Sequence, residues 1–256
     1  MITIIFGLPG AGKTAFMTYL LKTMYEKERD KLLKFTCNKI LGLNREYGTD
    51  LSLPSNTPIY VNKNYKVQFK VGYEKYFTPY VFDITKFGVP IEGNDENTAT
   101  LHLLPPGSKM FCPEGQKFIN SYEWKKLPKE TRTGFEEHRQ WWLDFWFDVQ
   151  RPIMIAAPVR EIAGRFIRIL KLEKMENFAG GVESVTFHTL EFSSWQEADA
   201  NYQTGSTAGG EYKQYTHIGN LLKCYDSYSC RDDFMKIATA HKRDFIYQHW
   251  DEANAA

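Results

Sequence analysis

No stretch of about 18 consecutive apolar residues occurs in this 256-residue chain, so no membrane-spanning helix is expected within it. The first apolar run is too short for a secretory signal and is followed at once by a glycine-rich stretch. Cysteine is scarce: Cys37, Cys112, Cys224 and Cys230 are spread along the chain, and no Cys-x-x-Cys pair occurs. That spacing argues against a zinc site and against a disulfide framework. Charge of one sign is also lacking. Lys plus Arg number 32 against 31 Asp plus Glu, a net of +1. No general basic field exists for nucleic acid or anionic lipid, and any such contact must be local. No internal repeat is visible. What is plentiful is aromatic side chain, 15% of residues, within an otherwise ordinary globular composition.

The most informative stretch lies at the front. Ile2-Thr3-Ile4-Ile5-Phe6 is apolar and rich in β-branched residues. Gly7-Leu8-Pro9-Gly10-Ala11-Gly12-Lys13-Thr14 follows, and then Ala15, Phe16, Met17, Leu20, Leu21 and Met24 at helical spacing. Strand, Gly-x-x-x-x-Gly-Lys-Thr and helix come in the order that phosphate binding requires. Glycines allow a tight bend that aims several N–H groups at one anion, and the helix adds the positive end of its dipole. The nucleotide-binding set is therefore Gly7, Pro9, Gly10, Ala11, Gly12, Lys13, Thr14 and Ala15. Lys13 is expected on the β- and γ-phosphates of ATP, and the Thr14 hydroxyl on Mg²⁺. Nucleotide use and few cysteines together point to a reducing cytosol.

The first helix is expected from Lys13 to about Lys31, with a turn-rich region over 35–57. Ile59-Tyr60-Val61 reads as a second core strand. Tyr65 to Val71 alternates apolar and polar residues, and Tyr80 to Ile84 follows within hairpin distance. The pair reads as an antiparallel insertion near 65–84 with one wet face. Residues 91–98 read as a polar loop. Ser108 to Cys112, Phe145 to Gln150, Arg165 to Glu173 and Ser184 to Phe192 read as strands, with helical stretches over 131–142 and 153–164. This alternation implies an α/β fold, a doubly wound and mostly parallel sheet of the phosphate-loop NTPase class, over 1–202. Gln203 to Gly210 reads as a flexible linker, and 211–256 as a helical extension with a helix over 231–250. The cations Arg151, Arg160, Arg165, Arg168, Lys171 and Lys174 read as a solvated face or, alternatively, a DNA-facing strip.

An ATPase of this class also needs an acid at the end of a second strand, a carboxylate that activates water and a polar residue that senses the γ-phosphate. Lys109-Met110-Phe111-Cys112-Pro113-Glu114 is an apolar run ending in an acid, so Glu114 is the candidate base and metal-shell ligand. Gln150 ends the next strand and is the candidate γ-phosphate sensor. Arg139, on the intervening helix, is a candidate for charge stabilisation in its own or a neighbouring subunit's site.

The order of Gly-Leu-Pro-Gly-Ala-Gly-Lys-Thr, Pro113-Glu114-Gly115-Gln116, Glu137-His138-Arg139 and Phe147-Asp148-Val149-Gln150 resembles the zonula occludens toxin (Zot) family. So does Leu222-Lys223-Cys224-Tyr225-Asp226-Ser227, and the resemblance covers about residues 1–230. That family contains the inner-membrane assembly and export ATPases of filamentous phages. The resemblance implies ATP and Mg²⁺ as ligands and a homo-oligomeric ring. It further implies phage coat and assembly proteins, with phage single-stranded DNA, as partners. The implied location is the cytoplasmic face of the host inner membrane, reached through a segment missing here or through a partner. Two departures stand out. Family members carry Asp where this chain has Pro113, and they carry a transmembrane helix after this domain. Two other readings stay open: a nucleotide-gated scaffold without hydrolysis, and a soluble phosphotransferase, for which no arginine-rich lid is visible.

Overall fold

The computed structural model describes residues 1–70, 76–85, 104–178, 181–219 and 221–224. The fold described is that of the unit Met1–Tyr225. The polar loop over 91–98 and the helix over 231–250 lie outside the described residues.

The centre of the fold is an eight-stranded sheet. Strand β1 (Ile2–Phe6) leads into helix α1 (Lys13–Tyr47). Strands β2 (Ile59–Asn62), β3 (Phe69–Lys70), β4 (Tyr76–Phe77), β5 (Tyr80–Phe82) and β6 (Lys109–Cys112) follow. Helices α2 (Ser121–Lys126) and α3 (Lys129–Glu137) precede β7 (Asp144–Val149), and α4 (Ala157–Ile162) precedes β8 (Arg165–Glu176). The described part closes with β9 (Val182–Phe192), α5 (Trp195–Thr204) and β10 (Glu211–Ile218). The sheet order is β10-β9-β8-β1-β7-β6-β2-β5. The five strands from β1 to β5 in that order run parallel, as does β8 on β1, while β9 and β10 add antiparallel pairs.

β1 is buried along its whole length, as a central parallel strand must be when both faces are covered. Ile2, Ile4 and Phe6 enter one core with Phe145, Phe147 and Val149 of β7, under Trp124, Phe135, Val159 and Ala198 of α2 to α5. Ile5 enters the other with Phe111, Trp146 and Ile167, under Phe16, Met17, Leu21 and Tyr25 of α1. The doubly wound α/β fold is thus present.

Four expectations need correction. α1 continues well past Lys31, to Tyr47. A single interior glycine, Gly42, costs a helix only about 1 kcal/mol, and the Thr36 hydroxyl anchors the distal half to the Pro106 carbonyl at 2.8 Å. Gly48, at φ 63°, then ends the helix. The hairpin is smaller than expected. β3 pairs with β4 in a separate two-stranded sheet, while β5 joins the main sheet parallel to β2. Pro79 separates β4 from β5, and a proline cannot donate to a ladder. Tyr65, Val67 and Phe69 are buried and Lys66, Gln68 and Lys70 exposed, so the alternation itself holds.

The third correction concerns 203–218. The segment after α5 is tied down: Arg168 donates to the Ser206 carbonyl at 2.7 Å and Asn201 to that of Ala208 at 2.7 Å. Residues 211–218, placed in a helical extension by composition, form β10 on the free edge of β9. An edge strand with alternating exposure carries too weak an apolar signal to read as sheet. The fourth concerns the cations. Arg160 and Arg168 are buried, Arg165 pairs with Glu191 and Arg151 with Asp199, so the arginines make neither a solvated face nor a strip, while Lys171 and Lys174 are exposed as a solvated face requires.

Candidate nucleotide-binding site

The bend between β1 and α1 is built where backbones approach too closely for side chains. A Cβ on Gly7 would lie 2.7 Å from the Ile169 carbonyl oxygen of β8, and one on Gly12 2.7 Å from Leu172 Cδ1. Gly12 also sits at φ 91° as the residue that opens α1. Among the described residues no side chain caps that helix end, which leaves its first-turn amides available to an anion. The Gly7 amide donates to the Gln150 carbonyl at 3.3 Å, and the Ala11 amide to that of Leu8 at 3.1 Å. The Ala15 side chain is packed into the α1-side core. The loop thus starts fastened to the end of β7.

Lys13 folds back over this bend. Its ammonium donates to the Gly7 and Leu8 carbonyls, each at 3.1 Å. Burial pulls its pKa below the ordinary lysine value, against the opposing charges of Asp148 and Glu114. Those carbonyls are weak partners for an ammonium group, and a phosphate would be a stronger one.

Thr14, one step on, donates its hydroxyl to Asp148 Oδ2 at 2.8 Å. Asp148 is 2% exposed and stands on β7 opposite Ile5 of β1. Its other oxygen accepts the Glu114 amide at 2.6 Å. Burial raises the pKa of this carboxyl, although the Glu114 amide, the Thr14 hydroxyl and the Lys13 charge all oppose the rise. Sequence reading did not select Asp148 as a site residue. One signal was available: it is the single ionisable residue inside the buried run Phe145 to Val149.

Glu114 follows Pro113 beyond β6 and adopts φ 54°, a left-handed conformation uncommon outside glycine. Its amide faces Asp148, while its carboxylate pairs with Lys117. Gln150 is exposed just past β7, beside Gly7. The fold therefore gathers Gly7, Gly12, Lys13, Thr14, Glu114 and Gln150 at the C-terminal edge of the parallel strands, where α/β sheets bind ligands.

Arg139 is not brought to this site within its own chain. It shares a 480 Å³ cavity with Met1, Lys109, Trp142 and Asp144, all at or beside the starts of β1, β6 and β7. β1 and β7 are parallel, so those starts and the bend lie at opposite edges of the sheet, about 16 Å apart for a strand of this length. Side-chain oxygens beside the bend include the Thr14 hydroxyl and the Asp148 carboxylate bonded to it, and the Glu114 backbone is fastened to that same carboxylate. Hard oxygens next to a phosphate site suit Mg²⁺, which needs only one or two protein ligands.

A strand, a glycine bend and a helix N-terminus at the centre of a mostly parallel sheet define a phosphate-loop NTPase fold. No protein-family model matches the chain, and no curated protein sequence matches it. Among solved structures it is similar to the N-terminal domain of zonular occludens toxin from Neisseria meningitidis. The two are 17% identical at a TM-score of 0.49, over 88% of this chain and 98% of that one. It is also similar to B204, the DNA-packaging ATPase of Sulfolobus turreted icosahedral virus, at 11% identity and a TM-score of 0.35, over 70% of this chain and 78% of that one. A further similar structure is the genome packaging NTPase B204 of Sulfolobus turreted icosahedral virus 2 in complex with AMPPCP. It is 12% identical at a TM-score of 0.37, over 86% of this chain and 96% of that one. Among the described residues no helix is long and apolar enough to cross a membrane.

Proposed function

We propose that this chain binds and hydrolyses Mg²⁺-ATP as the motor domain of a Zot-like machine that assembles and exports filamentous phage. The observation that carries the nucleotide reading is the uncapped start of α1 behind a glycine bend, with Lys13 and Thr14 on its first turn. The order of motifs in the sequence supports the choice of machine.

The bend amides and the α1 dipole receive the β- and γ-phosphates. Lys13 exchanges two carbonyl oxygens for phosphate oxygens, and its partial burial strengthens that contact. Thr14 and a neighbouring carboxylate, Glu114 or Asp148, would hold Mg²⁺, which neutralises charge on the phosphates when bound. Glu114 orients the attacking water once its carboxylate leaves Lys117. Gln150, joined to Gly7 through its own backbone, senses loss of the γ-phosphate. Arg139, remote from its own bend, is available to a neighbouring subunit of a ring. Coat and assembly proteins with single-stranded DNA are the proposed partners, at the cytoplasmic face of the inner membrane.

Calorimetry tests the first step: Lys13→Ala should abolish ATP binding, and unchanged affinity refutes the assignment. Phosphate release tests the second: Glu114→Gln should keep binding and lose turnover, and undiminished turnover removes Glu114 from the mechanism. One observation favours the scaffold alternative, namely the Glu114 carboxylate held by Lys117 next to Pro113. Absence of phosphate release from the assembled wild-type protein would select it.

A further inference from the structure

We infer that Asp148 of β7, and not an acid at the end of β6, is the carboxylate that holds the metal ion of the nucleotide, leaving Glu114 free to act on water. The inference rests on the nucleotide-binding reading above.

Four observations lead to it. First, the end of β6 has no acid to offer in the strand itself. Cys112 is fully buried, Pro113 follows, and the next residue turns its carboxylate to Lys117. Secondly, the strand hydrogen-bonded to β1 on this side is β7, with β6 one place farther out. An acid on β7 is therefore nearer to the bend than an acid at the same level of β6, by about one strand spacing of ~4.8 Å. Asp148 stands at the right level, paired with Ile5 two residues before Gly7.

Thirdly, Asp148 already touches the other metal ligand. Its Oδ2 accepts the Thr14 hydroxyl at 2.8 Å, so one ion can reach both oxygens with a small shift of each. Fourthly, Asp148 is a buried carboxylate with no ion pair among the described residues. It is 2% exposed, and Lys13, the nearby cation, is turned to the Gly7 and Leu8 carbonyls. Two hydrogen bonds hold its oxygens in place but do not cancel its charge. A carboxylate fixed in this way is poised for a cation brought in with a ligand.

The division of labour follows from the second hydrogen bond. The Glu114 amide donates to Asp148 Oδ1 at 2.6 Å, which fixes the backbone of Glu114 while its side chain remains half exposed and able to swing. Asp148 thus positions Glu114 through the main chain and competes with nothing on its side chain.

The test is titration of the full chain with Mn²⁺ in the presence of AMPPCP, followed by electron paramagnetic resonance. ADP affinity is measured in parallel in EDTA. Asp148→Asn keeps an acceptor for the Glu114 amide, turns its NH2 to the rotatable Thr14 hydroxyl, and removes the charge. It should weaken Mn²⁺ by at least about tenfold, with metal-free ADP affinity unchanged or tighter. Glu114→Gln should leave Mn²⁺ affinity at the wild-type value. Unchanged Mn²⁺ affinity in Asp148→Asn overturns the inference, as does parallel loss of metal-free ADP binding, which marks a merely structural role. A tenfold loss in Glu114→Gln overturns it as well. Wild-type protein that binds neither ATP nor ADP overturns the functional reading, and the inference goes with it.

Discussion

Replacing Asp148 by asparagine should make the nucleotide-free protein more stable. The carboxylate is 2% exposed, makes no ion pair among the described residues, and has its charged form favoured by two hydrogen bonds and the nearby Lys13 charge. Asparagine has nearly the same shape, and its carbonyl can take one of those bonds while the amide offers a donor to the rotatable Thr14 hydroxyl. What disappears is the cost of a buried charge, several kcal/mol for an isolated ion before hydrogen bonding offsets most of it. A net gain of about 1 kcal/mol is expected at pH 7. For a unit spanning Met1–Tyr225 that is a rise in Tm of about 2–4 °C. The sign with pH follows from burial, which raises the carboxyl pKa in the fold above its unfolded value. Ionisation therefore costs stability in full above the folded pKa, and the cost vanishes below the unfolded value, near pH 4. Calorimetric melts of wild type and variant should differ at pH 7 and converge toward pH 4. An equal or lower Tm for Asp148→Asn at pH 7 would show that the charge is compensated in a way this structure does not contain, and would refute the reasoning.

Gly7→Ala places a methyl 2.7 Å from the Ile169 carbonyl, where only backbone can give way. It should cost about 1–3 kcal/mol, seen as a Tm lower by several degrees, together with weaker ATP binding; a neutral substitution refutes the close approach of β1 and β8. Glu191→Gln removes a buried carboxylate bound by Arg165, Tyr215 and Lys213. Burial pushes the Glu191 pKa up, but these partners prevail and hold it below the usual carboxylate range. Its contribution is present above the unfolded pKa and is lost as pH falls through the folded one. A loss of about 1–3 kcal/mol at pH 7, shrinking toward pH 3, is expected from thermal melts. A difference that persists undiminished in acid refutes the pairing.

Much of the site could be read along the chain because it is local. A β-branched run, a glycine bend and a helix need only neighbouring residues, and a strand of the expected length delivers Gly7 to the sheet edge. Glu114 and Gln150 were selected by following apolar runs to their ends, which parallel strands bring to one edge. Arg139 could not be placed in that way. Whether the turn after a helix lies at one edge of the sheet or the other depends on where the next strand begins, and β7 begins at Asp144, beside Met1.

Asp148 and the distal strands mark the boundary more sharply. The residues from Phe145 to Val149 announce a buried strand, yet nothing in them says that this strand pairs with β1. The order of strands is set by packing among residues far apart in the chain, such as Ile2 opposite Phe145; loop closure over such distances leaves no mark in local sequence. β10 was hidden for a related reason, since an edge strand is stabilised by its partner and not by its own apolar face. Sequence alone fixed the phosphate bend, because backbone conformation and helix start are local properties of glycine, lysine and threonine. Only the tertiary structure decided which acid faces that bend, because a charge is buried by what surrounds it, and its surroundings come from strands remote in the chain.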